Sequence, residues 1–122
     1  MKDRLVSSEF SVGEPARRVV ARIADVWSLS EEEQDAILGQ PVESAFQLDA
    51  AAGGIQAETL ERVSYLIGIY RALHAIFPGD DQADNWIRRA NKAPFFGGLS
   101  ALELMCAGKV CDLASVRQYL GA

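Results

Sequence analysis

Residue types that carry chemistry are scarce in this chain of 122 residues. It has one histidine, His74, and two cysteines, Cys106 and Cys111. A lone histidine, with no acid or cysteine at useful spacing in the sequence, makes neither a zinc site nor a Ser–His–Asp relay. The gap between the cysteines is too wide for C-x-x-C, and two thiols make no disulfide framework. They read as reduced thiols of a cytoplasmic protein. Neither glycine-rich phosphate-loop spacing occurs. Asp80, Asp81 and Asp84 cluster at a helix start, where capping accounts for them. Nucleophile, base and oxyanion site do not assemble, so no enzyme activity, cofactor or metal is expected. The opening stretch, MKDRLVSSEFSVGEPARR, has no apolar region of the kind a signal peptide needs, and every long apolar stretch is interrupted by polar residues. No membrane partner is expected. No segment alternates long enough for a strand, and no repeat is present.

What is present is ordinary globular composition, 49% apolar and 24% charged. Twelve basic against seventeen acidic residues leave a net charge of -5, so any polyanion-binding surface is local. Residues 1–56 hold five basic and ten acidic side chains, whereas residues 57–122 hold seven of each. Gly53-Gly54 favours a break between these halves. The expected organisation is an N-terminal arm at 1–14, a helix-turn-helix-like bundle at 15–54 and a second helical domain at 55–122.

Helical periodicity runs through the whole chain. Pro15 suits the first turn of a helix that carries Val19, Val20, Ile23 and Trp27 at helical spacing. Ser30 and Glu33 form an S-x-x-E capping box, and Gly39 ends that helix. Pro41 opens a third helix expected to reach about residue 50, with Val42, Ala45, Phe46 and Leu48 inward. The strongest pattern lies at 59–77, where Leu60, Val63, Leu66, Ile67, Tyr70, Leu73 and Phe77 form one wide stripe. Tyr65, Ile69, Ala72 and Ile76 add a second edge. A helix so apolar on two sides is either the post of the core or half of a dimer interface, with Leu66, Ile69, Tyr70 and Leu73 as its centre. Asp80 or Asp81 is expected to cap the next helix, Ser100 and Glu103 form a second box, and Asp112 is expected to cap the last helix. The fold reads as all-α.

Residues 30–50 have the arithmetic of a helix-turn-helix, with 41–50 as the recognition helix. That segment, PVESAFQLDA, contains no lysine or arginine, the side chains on which phosphate and base contacts draw most. Ser44 and Gln47 remain as base contacts, and Arg17, Arg18 and Arg22 as phosphate contacts. Further on, Phe95 and Phe96 sit on a short loop between Pro94 and Gly97-Gly98. They serve there either as plugs for the core or as anchors for a partner.

Residues 60–122 resemble the toxin-binding domain of the Xre/MbcA/ParS type of bacterial antitoxin. The resemblance is carried by LERVSYLIGIYRALHAIFPG, by DDQADNWIRRANKAPFFGGLSALELM and by GKVCDLASVRQYL. Trp86-Ile87-Arg88-Arg89-Ala90-Asn91 looks like the family's tryptophan helix running into its asparagine. LSEEEQDAILG is similar to the supporting helix and turn of the family's N-terminal helix-turn-helix. The resemblance implies an antitoxin that neutralises an NAD-consuming RES-domain toxin by packing over its active-site entrance. It also implies a homodimer within a larger assembly, and binding to the promoter of its own operon. A rigid surface that excludes substrate would suffice for neutralisation, and Phe95, Phe96, Lys109, Arg117 and Tyr119 are the residues expected near the toxin contact. A DNA-binding autorepressor with a dimerising C-terminal half is the alternative.

Overall fold

The computed structural model describes residues 15–47, 55–90, 93 and 96–121. Seven helices form among them: α1 (15–26), α2 (Glu31–Leu38), α3 (Val42–Ala45), α4 (Ala57–Ile76), α5 (Asp80–Trp86), α6 (Ala101–Met105) and α7 (Val110–Tyr119). The extended pairing among the described residues is one isolated bridge, Ala90 to Ser100. The chain is essentially all-α. The expected arm at 1–14, the glycine break at 53–54 and Leu48 lie outside the described residues.

Local chemistry sets the helix ends. At α2 the Glu33 N–H donates to Ser30 Oγ at 3.0 Å, and the Ser30 N–H donates to Glu33 Oε1 at 2.9 Å. Two orphan backbone donors are satisfied reciprocally, and three glutamates stand at the positive end of the helix dipole. Gly39 closes α2 at φ 77°, a left-handed conformation that glycine adopts without strain. The box of Ser100 and Glu103 opens α6 in the same way.

Three expectations about helix ends need correction. The third helix is a single turn, because Phe46 leaves it at φ -101° as its ring enters the core at 8% exposure. The N-cap of α5 is Gly79, with no side-chain cap, because Asp80 and Asp81 already stand inside the first turn of the helix. The N-cap of α7 is Lys109, and Asp112 stands in the first turn without capping it.

Helix α4 is the post. At twenty residues it is about 30 Å long, and α2, α5 and α7 pack against it. Leu66, Ile69 and Leu73 are at most 1% exposed and belong to the chain's own core, which leaves no free face of these side chains for a second copy. Tyr70 is half-buried, its ring 6.1 Å from that of Trp27 and 4.3 Å from that of His74. One apolar cluster runs from Val20, Trp27 and Leu38 through α4 to Met105 and Val116.

Two arginines stitch the sequence halves together. Arg62, 5% exposed, donates to the Ile37 carbonyl at 3.0 Å and to the Gly108 carbonyl at 2.8 Å, and pairs with Glu58 at 3.0 Å. Those partners offset the cost of taking a guanidinium out of water. Gly39 has no side chain, and an ideal Cβ there would stand 2.7 Å from Arg62 Cζ. Arg88 donates to the carbonyls of Trp27 at 3.0 Å and Ser28 at 2.7 Å. It thereby satisfies the end of α1, where Ser28 holds φ 53°.

Candidate interaction surface

Three rings from distant parts of the second half meet on one side of the molecule. Tyr119, near the end of α7, is stacked on Trp86, at the end of α5, with centroids 6.4 Å apart and planes inclined by 21°. Phe96 meets both edge-on, at 5.9 Å from Trp86 and 4.8 Å from Tyr119. Such offset and edge-on pairs match the negative faces and positive edges of the rings. Gly97 and Gly98, at φ 57° and 90°, turn the chain directly after Phe96.

Burial separates the roles of the rings. Phe96 is 1% exposed, whereas Tyr119 is 46% exposed. Phe96 is therefore a keystone of the core and not a ring offered to a partner, which corrects the sequence expectation. Tyr119 is the outer member of the stack. Phe95 lies outside the described residues. Leu99, 43% exposed beside the glycine turn, was not singled out by the sequence. The signal that points to it is an isolated leucine after two glycines, outside any helical stripe.

Lys109 is exposed at the other end of α7 from Tyr119, about 15 Å away along the helix. Arg117 is two residues before Tyr119 and so points to the opposite side of α7. It enters a groove of about 660 Å³ formed by α4, the start of α1 and the end of α7. Its Nε is buried there with no hydrogen-bond partner among the described residues. Tyr119, Lys109 and Arg117 thus occupy three separate places on the second half.

The candidate DNA contacts also divide. Arg17, Ser44 and Gln47 line one hollow, together with Glu43 and Phe46. Arg18 and Arg22 line another, together with Asp25. The turn α3 offers no cation, and Glu43 stands in it.

His74 does have acidic neighbours. Its Nε2 lies 2.8 Å from Asp84 Oδ1 and its Nδ1 lies 3.3 Å from Asp80 Oδ1. The chain reverses between α4 and α5, which brings residues six and ten positions later alongside the ring. The bracket ties α5 to the end of α4 and so holds Trp86 in place. Among the described residues no group of three His, Cys, Asp or Glu side chains is arranged to hold a metal ion. No described helix is long and apolar enough to cross a membrane.

Two titratable groups are displaced where α2 meets α6. The backbone N–H of Ser30, followed by Arg88, holds the Glu33 carboxyl below its ordinary range, against some desolvation. Burial, followed by the negative charge of Glu33, pushes the Cys106 thiol up. A thiol shifted that way is a poor nucleophile.

The helices that carry this surface coincide with a known module. Residues 72–122 match the family described as the antitoxin Xre/MbcA/ParS C-terminal toxin-binding domain. The chain thus carries, at residues 72–122, the toxin-binding domain of Xre/MbcA/ParS-type antitoxins. It is also similar to the uncharacterized protein y4oB of Sinorhizobium fredii (strain NBRC 101917 / NGR234). The two are 47% identical over 102 residues, which is 83% of this chain and 78% of the relative. No solved structure matches the chain.

Proposed function

We propose that the chain neutralises an NAD-consuming RES-domain toxin by covering its active-site entrance with the surface that α5, the turn at residues 96–100 and α7 present. The observation that carries this reading is the match of the toxin-binding domain to residues 72–122, the stretch containing those elements. Inhibition of this kind needs no reaction. It needs a rigid surface whose ordering cost was met on folding. Tyr119 suits the role, since its ring is exposed and already held by Trp86 and Phe96. Lys109 adds a charge at the far end of α7, and Arg117 contributes from the α4 side. The reading is tested by titrating purified chain into the toxin encoded beside it and following NAD consumption. Full inhibition near one chain per toxin site is expected, with at least about tenfold weaker inhibition, or roughly 1.4 kcal/mol, for Tyr119→Ala. A Tyr119→Ala chain that inhibits like the parent removes this face from the interface.

A second reading, autorepression at the operon promoter, is favoured by the convergence of Arg17, Ser44 and Gln47 on one hollow. Glu43 in the same hollow and the lack of cations in α3 limit its strength. A gel shift at two salt concentrations tests it, because phosphate-driven binding fades as salt rises.

A further inference from the structure

The side of α4 turned away from the core is concave and apolar. Its groove of about 660 Å³ takes its walls from α4, from Ala16 at the start of α1, and from Arg117 and Leu120 at the end of α7. Leu60 and Ile76, near the two ends of α4, are 39% and 51% exposed. Among the described residues lining the groove, the charged ones are Arg71 and Arg117, and no carboxylate joins them. The groove is thus apolar and cationic in a chain whose net charge is -5.

We propose that residues 1–14 of the same chain occupy this groove, with Phe10 and Val12 on its apolar floor and Glu9 and Glu14 toward Arg71 and Arg117. Connectivity supports this occupant. Ala16 lines the groove, so the point at which such a segment is tethered lies at its rim. Length supports it too. Phe10 stands six residues before Ala16, a reach of up to about 20 Å. The α4 wall from Leu60 to Ile76 is about 24 Å long. Chemistry is the third argument. Residues 9–14 read Glu-Phe-Ser-Val-Gly-Glu, with two large apolar side chains, two acids and no base. A tethered segment also meets its site at an effective concentration in the millimolar range, so a modest contact is enough to fill it. The inference shares Arg117 with the toxin reading but is read out at Ala75 and Arg71, which that reading does not use, so the two fail separately.

The test uses the full chain with Cys111→Ser, which removes the exposed thiol, and Ala75→Cys, which places a thiol on the groove wall. Maleimide labelling of the new thiol is followed in this background and in two further variants. One is Phe10→Asp with Val12→Asp, and the other is Arg71→Glu on the exposed groove side. Half-buried Cys106 and the helical circular dichroism signal report that the fold is kept. Labelling at least about fivefold faster in both variants than in their parent is expected, the factor for a groove filled four-fifths of the time. Equal rates in parent and variants overturn the proposal. So does protection of the parent that grows with protein concentration, because a second copy would then be the occupant.

Discussion

Gly68 and Arg117 share one space. The guanidinium of Arg117 lies where a side chain on Gly68 would stand, with Cζ 2.7 Å from the ideal Cβ position. Alanine in a helix interior is worth about 1 kcal/mol more than glycine. Arg117 is long and flexible and gives way at the loss of some packing. Gly68→Ala is therefore expected to change the unfolding free energy by no more than about 1 kcal/mol in urea. It should weaken toxin inhibition if Arg117 acts from its present position. A loss of several kcal/mol would show that the arginine cannot move.

Arg62 is the opposite case. Its guanidinium serves two carbonyls far apart in sequence, Ile37 and Gly108, from a buried position. Arg62→Ala leaves both acceptors without their donor and opens space beside Gly39. A loss of about 3 kcal/mol is expected from urea unfolding. Arg62→Lys should recover only part of it, because an ammonium cannot span the fork of contacts.

Phe96 and Tyr119 touch each other and yet should respond differently to alanine. Phe96→Ala removes a ring from a sealed core and is expected to cost about 3–4 kcal/mol, read as a lower midpoint in thermal unfolding. Tyr119→Ala removes a ring that is nearly half exposed and should cost about 1 kcal/mol. The second variant is thus the one fit for binding experiments. Equal thermal losses would contradict the burial difference.

Glu33 carries a pH prediction. Its folded pKa is depressed by the Ser30 N–H and by Arg88, so its contribution to stability is present above the unfolded value. That contribution is lost as pH falls through the folded value, below the ordinary glutamate pKa of about 4.3. Glu33→Gln should therefore be less stable than the parent at pH 7 and approach it toward pH 3. The gap is expected to be under about 1 kcal/mol, because the carboxylate is partly solvated. A gap that widens on acidification would reverse the assignment.

Much of this arrangement is legible in the sequence because it is local. Ser30-x-x-Glu33 and Ser100-x-x-Glu103 each contain donor and acceptor within one turn, so the spacing alone specifies the bond. Gly39 reads as a helix end because it follows the last periodic residue. The stripe on α4 was legible as a post because too many of its faces are apolar for a surface helix. The alternatives left open there needed the neighbours: Leu66, Ile69 and Leu73 are enclosed by the chain's own helices.

Position in the stack decided the aromatic residues. Phe96 and Tyr119 both looked available for a partner, and nothing in their neighbours along the chain ranks them. Enclosure of Phe96 depends on Trp86 and Tyr119 arriving from α5 and α7. The acids beside His74 were missed for a similar reason, since the reversal after Phe77 folds α5 back along α4.

The sequence by itself determined that the chain is helical, the two Ser–Glu capping boxes and the likeness of its second half to a toxin-binding domain, because each of these depends on residues a few positions apart or on a pattern carried along the chain. Tertiary structure alone decided which arginines are structural, which ring is sealed and which side of α4 is open. Burial is set by what arrives from elsewhere in the fold, and a side chain's chemistry does not encode its surroundings.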